Sequence, residues 1–483
     1  MKRVISIALS LAMALTAMTG CAQQTATNAQ SQPAASEAVS QAAQSAPAEK
    51  VTVKLGIWPE DNLKEDIKMH EGFVKTFATT HPNVTIEPDY YKYAVDTFVS
   101  LAESGKLPTV FESWYTEPKK LIDGDFVADI TDELKECNWP LDSINPIVSQ
   151  LLTRDGHVYG VPRDGYSLGL MVNVALFKEA GLVNADGTPQ YPKTWDELAV
   201  TAQKIKQKTG QAGLCLLGKD GAGGWHFSNI AWGFGATLVT EDNGKFVSHL
   251  NSPEAVAAMN YVKDLKWKYD CLTADPTSED WASGFVELGT GSAAMLIGAN
   301  DAVNQPTQVN GLPVGDLALE PVPAGPKGQY SLAGGTPYMF AKNATKEEIK
   351  AALDYIEIMG KSPKATEDTI NGIKADAENH KNSGVPVIPR FPAWTDKKLL
   401  DAEDQIIKQY SNVNMNLYND YYKAINTPGN LRLEEPGDAQ NMYSELAKVI
   451  QACVTNKNAD VQKLMDTAQA NFQKILDTQV NKK

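Results

Sequence analysis

The chain is 483 residues long, 43% hydrophobic and 21% charged, with a formal net charge of −15. That composition belongs to an ordinary globular protein rather than a disordered or fibrous one, and the length calls for two domains plus extensions. An acidic surface of this kind repels phosphate backbones, which argues against nucleic acid as a partner.

The first element in chain order is an export signal. Lys2 and Arg3 precede an apolar run from Val4 to Ala17 and a small-residue approach, Met18-Thr19-Gly20, to Cys21. This resembles a bacterial lipoprotein signal, which implies removal of residues 1–20, a lipid on Cys21 and anchoring on the extracytoplasmic face of the cell membrane. A plain secretory signal with an incidental cysteine is the competing reading. The run is too short for a comfortable membrane span, and no later stretch reaches the roughly 20 apolar residues a span needs. Residues 21–50, dominated by Ala, Gln, Ser and Thr, bury too little apolar surface to offset their ordering entropy and read as a flexible tether.

Val51–Ile57 alternates as a first strand and ends at Trp58-Pro59-Glu60-Asp61. A helix over Glu65–Thr79 and a strand over Val84–Glu87 follow, and this order predicts a parallel α/β sheet that binds ligands beyond the carboxyl ends of its strands. A helix over Ala94–Ser104 stops at Gly105, and the short strand Thr109–Glu112 leads into Ser113-Trp114-Tyr115-Thr116-Glu117. From His157 to Gly181 a turn punctuated by Gly160 and Pro162 passes through apolar Leu168–Val172 and becomes helical near Val174. A strand that leaves one compact region and feeds a helix in another is what a hinge requires.

Beyond the hinge, a helix over Asp196–Lys208 has Thr194 as N-cap and Gly210 as its stop. A strand over Gly213–Gly218 opens into glycine-rich 219–224 and then the aromatics Trp225, Phe227 and Trp232, which are costly as pure loop and whose faces suit sugar rings. Ser252 caps a helix to Lys268 with Pro253 at its first position. A helix over Glu279–Leu288 precedes a strand over Ser292–Ile297 that ends in Gly298-Ala299-Asn300-Asp301. Leu317–Gly328 reads as a strand with a Pro/Gly loop, Leu332–Ala341 carries Gly334 and Gly335, and Lys346–Met359 is an amphipathic helix capped by Thr345 and closed by Gly360. The remainder is helical over Lys398–Tyr410, Asn416–Ile425, Gln440–Cys453 and Asp460–Leu476, broken by extended Val385–Trp394.

Several of these phrases resemble family 1 extracellular solute-binding proteins, the sugar-capturing receptors of ABC importers. They are VYGVP at 158–162, Asn173, LFKEAGL at 176–182, PKTWDEL at 192–198 and the close match over Gly124–Thr131. Two positions depart from the pattern: Val172 stands where the family usually has an aromatic, and Asp301 falls near another such position, replacing a stacking contact with a carboxylate. The resemblance covers Val51–Gly360 and implies a two-lobed, type II periplasmic-binding-protein-like α/β fold with a ligand cleft between hinged lobes. The expected first lobe is 51–165 with 303–360, and the second is 166–302 with 361–483. It also implies capture of a carbohydrate, an oligosaccharide, by a monomeric receptor that docks on permease subunits, makes or breaks no bond and uses no cofactor or metal.

Candidate ligand contacts follow from strand ends and the hinge. Trp58, Trp114, Trp225 and Tyr166 would stack on sugar rings, while Glu60, Glu112, Arg163 and Asp301 would hydrogen-bond hydroxyls. Gly335, with Gly334, would let backbone approach the ligand. Core packing competes as the explanation of every aromatic, and it is the reading adopted for Trp139, Trp195 and Trp267.

Other chemistries find less support. Gly165-Tyr166-Ser167-Leu168-Gly169 matches the serine-hydrolase GxSxG pattern, but strand-like sequence rather than a helix follows Ser167. Cys137, Cys215, Cys271 and Cys453 form no CxxC, which argues against zinc and leaves disulfides open. No EF-hand, dinucleotide fingerprint or glycosidase carboxylate pair stands out. A receptor for a peptide or polyamine is the main alternative within the same fold.

Overall fold

The computed structural model describes residues 50–482. The expected signal segment 1–20 and Cys21 lie outside them, as does all of the tether but Lys50.

The elements that build the site, in chain order, are strand β1 (Val51–Gly56), helix α1 (Lys64–Thr80), β2 (Val84–Pro88), β3 (Val110–Glu112) and the long β4 (Gly160–Asn173). Then come α2 (Trp195–Thr209), α3 (Ala222–Phe234), β5 (Met295–Ala299), β6 (Leu317–Glu320) and a second long strand, β7 (Ser331–Phe340). Helices α4 (Lys346–Ile358) and α5 (Glu367–Asn382), strand β8 (Leu431–Leu433) and helix α6 (Ala439–Thr455) complete the set.

One eight-stranded sheet runs in the order β6-β4-β7-β3-β1-β2, with β5 also beside β4 and β8 beside β7. β1 is parallel to β2 and β3, pairing Val51 with Val84 and Leu55 with Val110. β7 runs antiparallel to β3, with Tyr338 opposite Glu112, and antiparallel to β4, from Ala333 opposite Ser167 to Met339 opposite Gly160. β5 and β6 pair antiparallel with the far half of β4.

Two hydrophobic cores lie along this sheet, and the long strands serve both. Val161 of β4 and Tyr338–Phe340 of β7 pack in the first core, whereas Leu168, Leu170, Met171 and Val172 of β4 and Leu332 of β7 pack in the second. Each of those four β4 side chains is fully buried, and burial of that kind is worth about 2 kcal/mol per residue. The periodic apolar run seen in the sequence is therefore strand in a core, and the turn expected before it is already strand from Gly160.

The cores divide the chain differently from the expected lobes. Leu312, Leu317, Leu319 and Val322 belong to the second core, although 303–360 was expected as one piece of the first lobe. Conversely Ile373, Ala377, Val387, Trp394, Leu399 and Ile406 join the first core, not the second. The reason lies in β6: the chain stays beside β4 after Asp301, pairing Leu317 with Asn173, and returns only along β7.

Local signals work well where a cap is present. Thr194 accepts from the Glu197 N–H and α2 ends at Gly210, whose φ of +77° only glycine adopts freely. Thr345 and Glu348 form a reciprocal capping box at α4. The glycine-rich stretch before Trp225 is different: after a turn over 219–221 it is the start of α3, not a loop. A Cβ on Gly224 would lie 2.2 Å from the Tyr443 carbonyl oxygen of α6, so the glycine permits two helices to touch. The expected strand over 213–218 reduces to single bridges such as Cys215 with Leu296.

Candidate functional site

A cavity of about 370 Å³ opens where the carboxyl ends of β1 and β3, the middle of β4 and the turn after β5 converge. This is where open α/β sheets expose their strand ends to ligands. Trp58 and Glu60 follow β1, Asp66 and His70 come from α1, Tyr90 follows β2, and Glu112 ends β3. Arg163 and Asp164 project from β4, Asp301 follows β5, and Lys361, Asp376, His380 and Arg390 close the other side.

Arg163 is the centre of its charge network. Its Nη1 donates to Glu112 Oε2 at 3.0 Å and its Nη2 to Asp164 Oδ1 at 3.2 Å. Nη2 is also 4.0 Å from Asp301 Oδ2. Nε lies 2.9 Å from Asp164 Oδ2 but is misaligned and donates no hydrogen bond. Arg390 pairs with Asp376 and lies 3.7 Å from Glu403 Oε1. Tyr90 donates to Glu60 Oε1 at 2.9 Å, and Asn379 donates to Asp66.

Desolvation inside the cavity sets the protonation of these groups. It pushes the Asp301 carboxyl up to about 7, assisted by Asp164 and opposed by Arg163. Asp66 is raised by burial as well. Burial lowers His70 to about 4, so that imidazole is neutral at pH 7, and burial also lowers His380, opposed by Asp376. Burial and then the neighbouring Arg390 lower Lys361. For Asp376 burial opposes ionisation, but Arg390 and His380 outweigh it and hold the carboxyl well below its ordinary value.

The cavity brings together five of the residues singled out in the sequence: Trp58, Glu60, Glu112, Arg163 and Asp301. Trp58 is half-buried, with its ring 5.3 Å from His70 and edge-on to it. Trp114, Tyr166, Trp225 and Gly335 are not in its walls. Trp114 keeps 38% of its surface exposed and sits edge-on to Tyr93 at 5.1 Å. Tyr166 packs on Trp225 at 5.9 Å and Trp225 on Trp281 at 5.1 Å, an aromatic cluster against the second core. At Gly335 the missing Cβ is replaced by the Tyr115 ring, 2.3 Å from where it would stand, so this glycine makes room for the crossing of β7.

The hydrolase pattern dissolves on inspection. Ser167 is fully buried inside β4, its Oγ 2.5 Å from the Tyr421 hydroxyl, and six further strand residues follow before any helix. Cys137, Cys215, Cys271 and Cys453 are all unpaired. Among the described residues no group of three or more His, Cys, Asp or Glu could hold a metal ion.

Sequence reasoning missed Tyr90, Asp164, Lys361, Asp376, His380 and Arg390. Tyr90 follows a strand end as Trp58 does and was open to the same argument. Asp164 stands beside Arg163 on β4 and Lys361 just after α4, while Asp376, His380 and Arg390 depend on where α5 and the extended 385–390 segment pack, which no local pattern discloses.

A model of the family described as bacterial extracellular solute-binding protein matches residues 61–360. A putative binding protein of Brucella abortus is 28% identical over 206 residues, 42% of this chain and 47% of the relative. The chain thus spans about half the length of that relative. Among solved structures, a solute-binding protein of an ABC transporter from Thermotoga lettingae, bound to α-D-tagatose, superposes with a TM-score of 0.66 at 18% identity, covering 89% of this chain and 100% of that one. UgpB of Mycobacterium tuberculosis with glycerophosphocholine gives 0.68 at 15% identity over 90% and 100%. Both share the fold of this chain.

Proposed function

The chain belongs to the bacterial extracellular solute-binding proteins, and on that premise we propose that it is the receptor of an ABC importer, capturing a carbohydrate between its two cores. The observation that carries this reading is the cavity itself. A half-buried Trp58 and a half-exposed Tyr90 stand beside fixed carboxylates and a guanidinium, the combination that stacks on sugar rings and hydrogen-bonds hydroxyls. At about 370 Å³ it lies at the low end of ligand pockets, which favours a short saccharide over a long one.

Capture works by hinge bending. β4 and β7 join both cores, so rotation about them moves Asp301 and its neighbours toward Trp58 and Glu112 and encloses the ligand. No bond is made or broken; ATP hydrolysis belongs to the transporter whose permease subunits the loaded, monomeric receptor meets. A lipid on Cys21 would hold it to the membrane, since among the described residues no helix is long and apolar enough to cross one.

Phosphate esters are the second reading, because Arg163, Lys361 and Arg390 all face the cavity. Both guanidiniums are already bound by carboxylates, which favours an uncharged ligand. The test is a thermal-shift screen of the purified protein against mono- to trisaccharides, polyamines, peptides and phosphate esters. A ligand at 100 times its Kd stabilises the fold by about 2.7 kcal/mol. A shift with sugars supports the reading; shifts confined to polyamines, peptides or phosphate esters would end it.

A further inference from the structure

We propose that Arg163, Asp301 and Lys361 form the polar anchor that reads ligand hydroxyls in this cavity, and that Asp301 sets the site for an uncharged sugar against a phosphate ester. The inference rests on the carbohydrate reading above and assigns that reading to residues.

Polar groups withdrawn from water almost always find partners, and one without a partner calls for an explanation. Most charged groups here have theirs: Glu112 and Asp164 hold Arg163, Asp376 holds Arg390, Glu60 accepts from Tyr90, and Asp66 accepts from Asn379. Two do not, and Arg163 Nε, though 2.9 Å from Asp164 Oδ2, donates no aligned hydrogen bond. The Lys361 ammonium has no hydrogen-bond or ion-pair partner among the described residues, and there the Asp301 carboxylate accepts no hydrogen bond from another residue's side chain. All three line the cavity and come from separate segments: β4, the turn after β5, and the end of α4.

The spacing of Arg163 and Asp301 fits a hydroxyl. Asp301 Oδ2 stands 4.0 Å from Arg163 Nη2, too far for a direct hydrogen bond. A sugar hydroxyl between them accepts from the guanidinium and donates to the carboxylate, satisfying both. A phosphate oxygen at neutral pH offers only acceptors and carries charge, and Asp301 with Glu112 and Asp164 would repel it. Because Asp301 follows a strand of the second core while Glu112 ends a strand of the first, a bridging hydroxyl also ties the two halves of the closed receptor.

The experiment is calorimetric titration of the full protein and of its D301A, D301N and K361A variants with D-tagatose, maltose, mannotriose and sn-glycerol 3-phosphate. The wild type should bind at least one sugar and show no heat with the phosphate ester. D301A should lose on the order of ten- to a hundredfold in sugar affinity, K361A a comparable factor, and D301N less, because its amide oxygen still accepts. K361A carries the test alone if D301A fails to fold by circular dichroism. Sugar affinity unchanged in both alanine variants would overturn the anchor while leaving the carbohydrate reading intact. Binding of sn-glycerol 3-phosphate by the wild type, or of none of the sugars, would overturn both.

Discussion

The buried cluster at the middle of β4 offers a quantitative test of how that strand is held in the second core. Ser167 Oγ lies 2.5 Å from the Tyr421 hydroxyl, which in turn donates to the Ser167 carbonyl at 2.8 Å and lies 3.1 Å from Asn300 Oδ1. Ser167 and Tyr421 are fully buried and Asn300 is nearly so. Tyr421→Phe strands the serine hydroxyl without an acceptor, at about 1–3 kcal/mol. Ser167→Ala costs less, about 1 kcal/mol, because the tyrosine keeps two acceptors. The double variant removes both ends of the bond, so its cost should fall short of the sum by roughly 1 kcal/mol, the coupling expected of residues in one network. Urea unfolding of the four proteins measures this as midpoints at constant slope. Strict additivity, within about 0.5 kcal/mol, would show that the hydroxyls do not form the bond on which the argument depends. Ser167→Ala should also leave sugar affinity unchanged, because the side chain is buried in β4 and does not line the cavity.

Protonation gives a second prediction. Asp301 is held above its ordinary value by desolvation and Asp164, so its ionisation opposes folding: the penalty is absent below about pH 4 and develops as pH rises through about 7. Asp301→Asn should therefore melt above the wild type at pH 8, with the gap closing as the pH is lowered; a constant gap would contradict this. Two glycines within helices should respond oppositely to alanine. Gly224→Ala drives a Cβ into the Tyr443 backbone and should cost about 1–3 kcal/mol, while Gly72→Ala, with open space around it, should stabilise α1 by up to about 1 kcal/mol; melting temperatures that move together would refute the contact. Among the tryptophans, Trp58→Ala should weaken sugar binding roughly three- to tenfold through lost stacking. Trp225→Ala should chiefly lower stability, since its ring packs on Tyr166 and Trp281; calorimetry beside thermal melts separates the two.

What the sequence determined by itself is whatever short-range chemistry controls. Thr194 with Gly210 and Thr345 with Gly360 bound their helices because a cap needs only its own turn. Trp58, Glu60 and Glu112 were legible as residues of the cavity wall because a strand's end is marked in the chain and parallel strands open their carboxyl ends to a cleft. The crossing strand was legible around Leu168–Val172 because a continuous apolar run demands a core on both faces. Tertiary structure alone decided which core each segment joins, as with Leu317 and Ile373. An amphipathic face records that it is buried, not against what. It also decided that Gly335 accommodates the Tyr115 ring and Gly224 the α6 backbone, since the neighbour that fills a missing side chain is hundreds of residues away for one and more than two hundred for the other. The charged wall of Lys361, Asp376 and Arg390 belongs to the same class: they share the cavity with Arg163 and Asp301 only because the chain after α4 folds back beside β4, a long-range arrangement with no local signature.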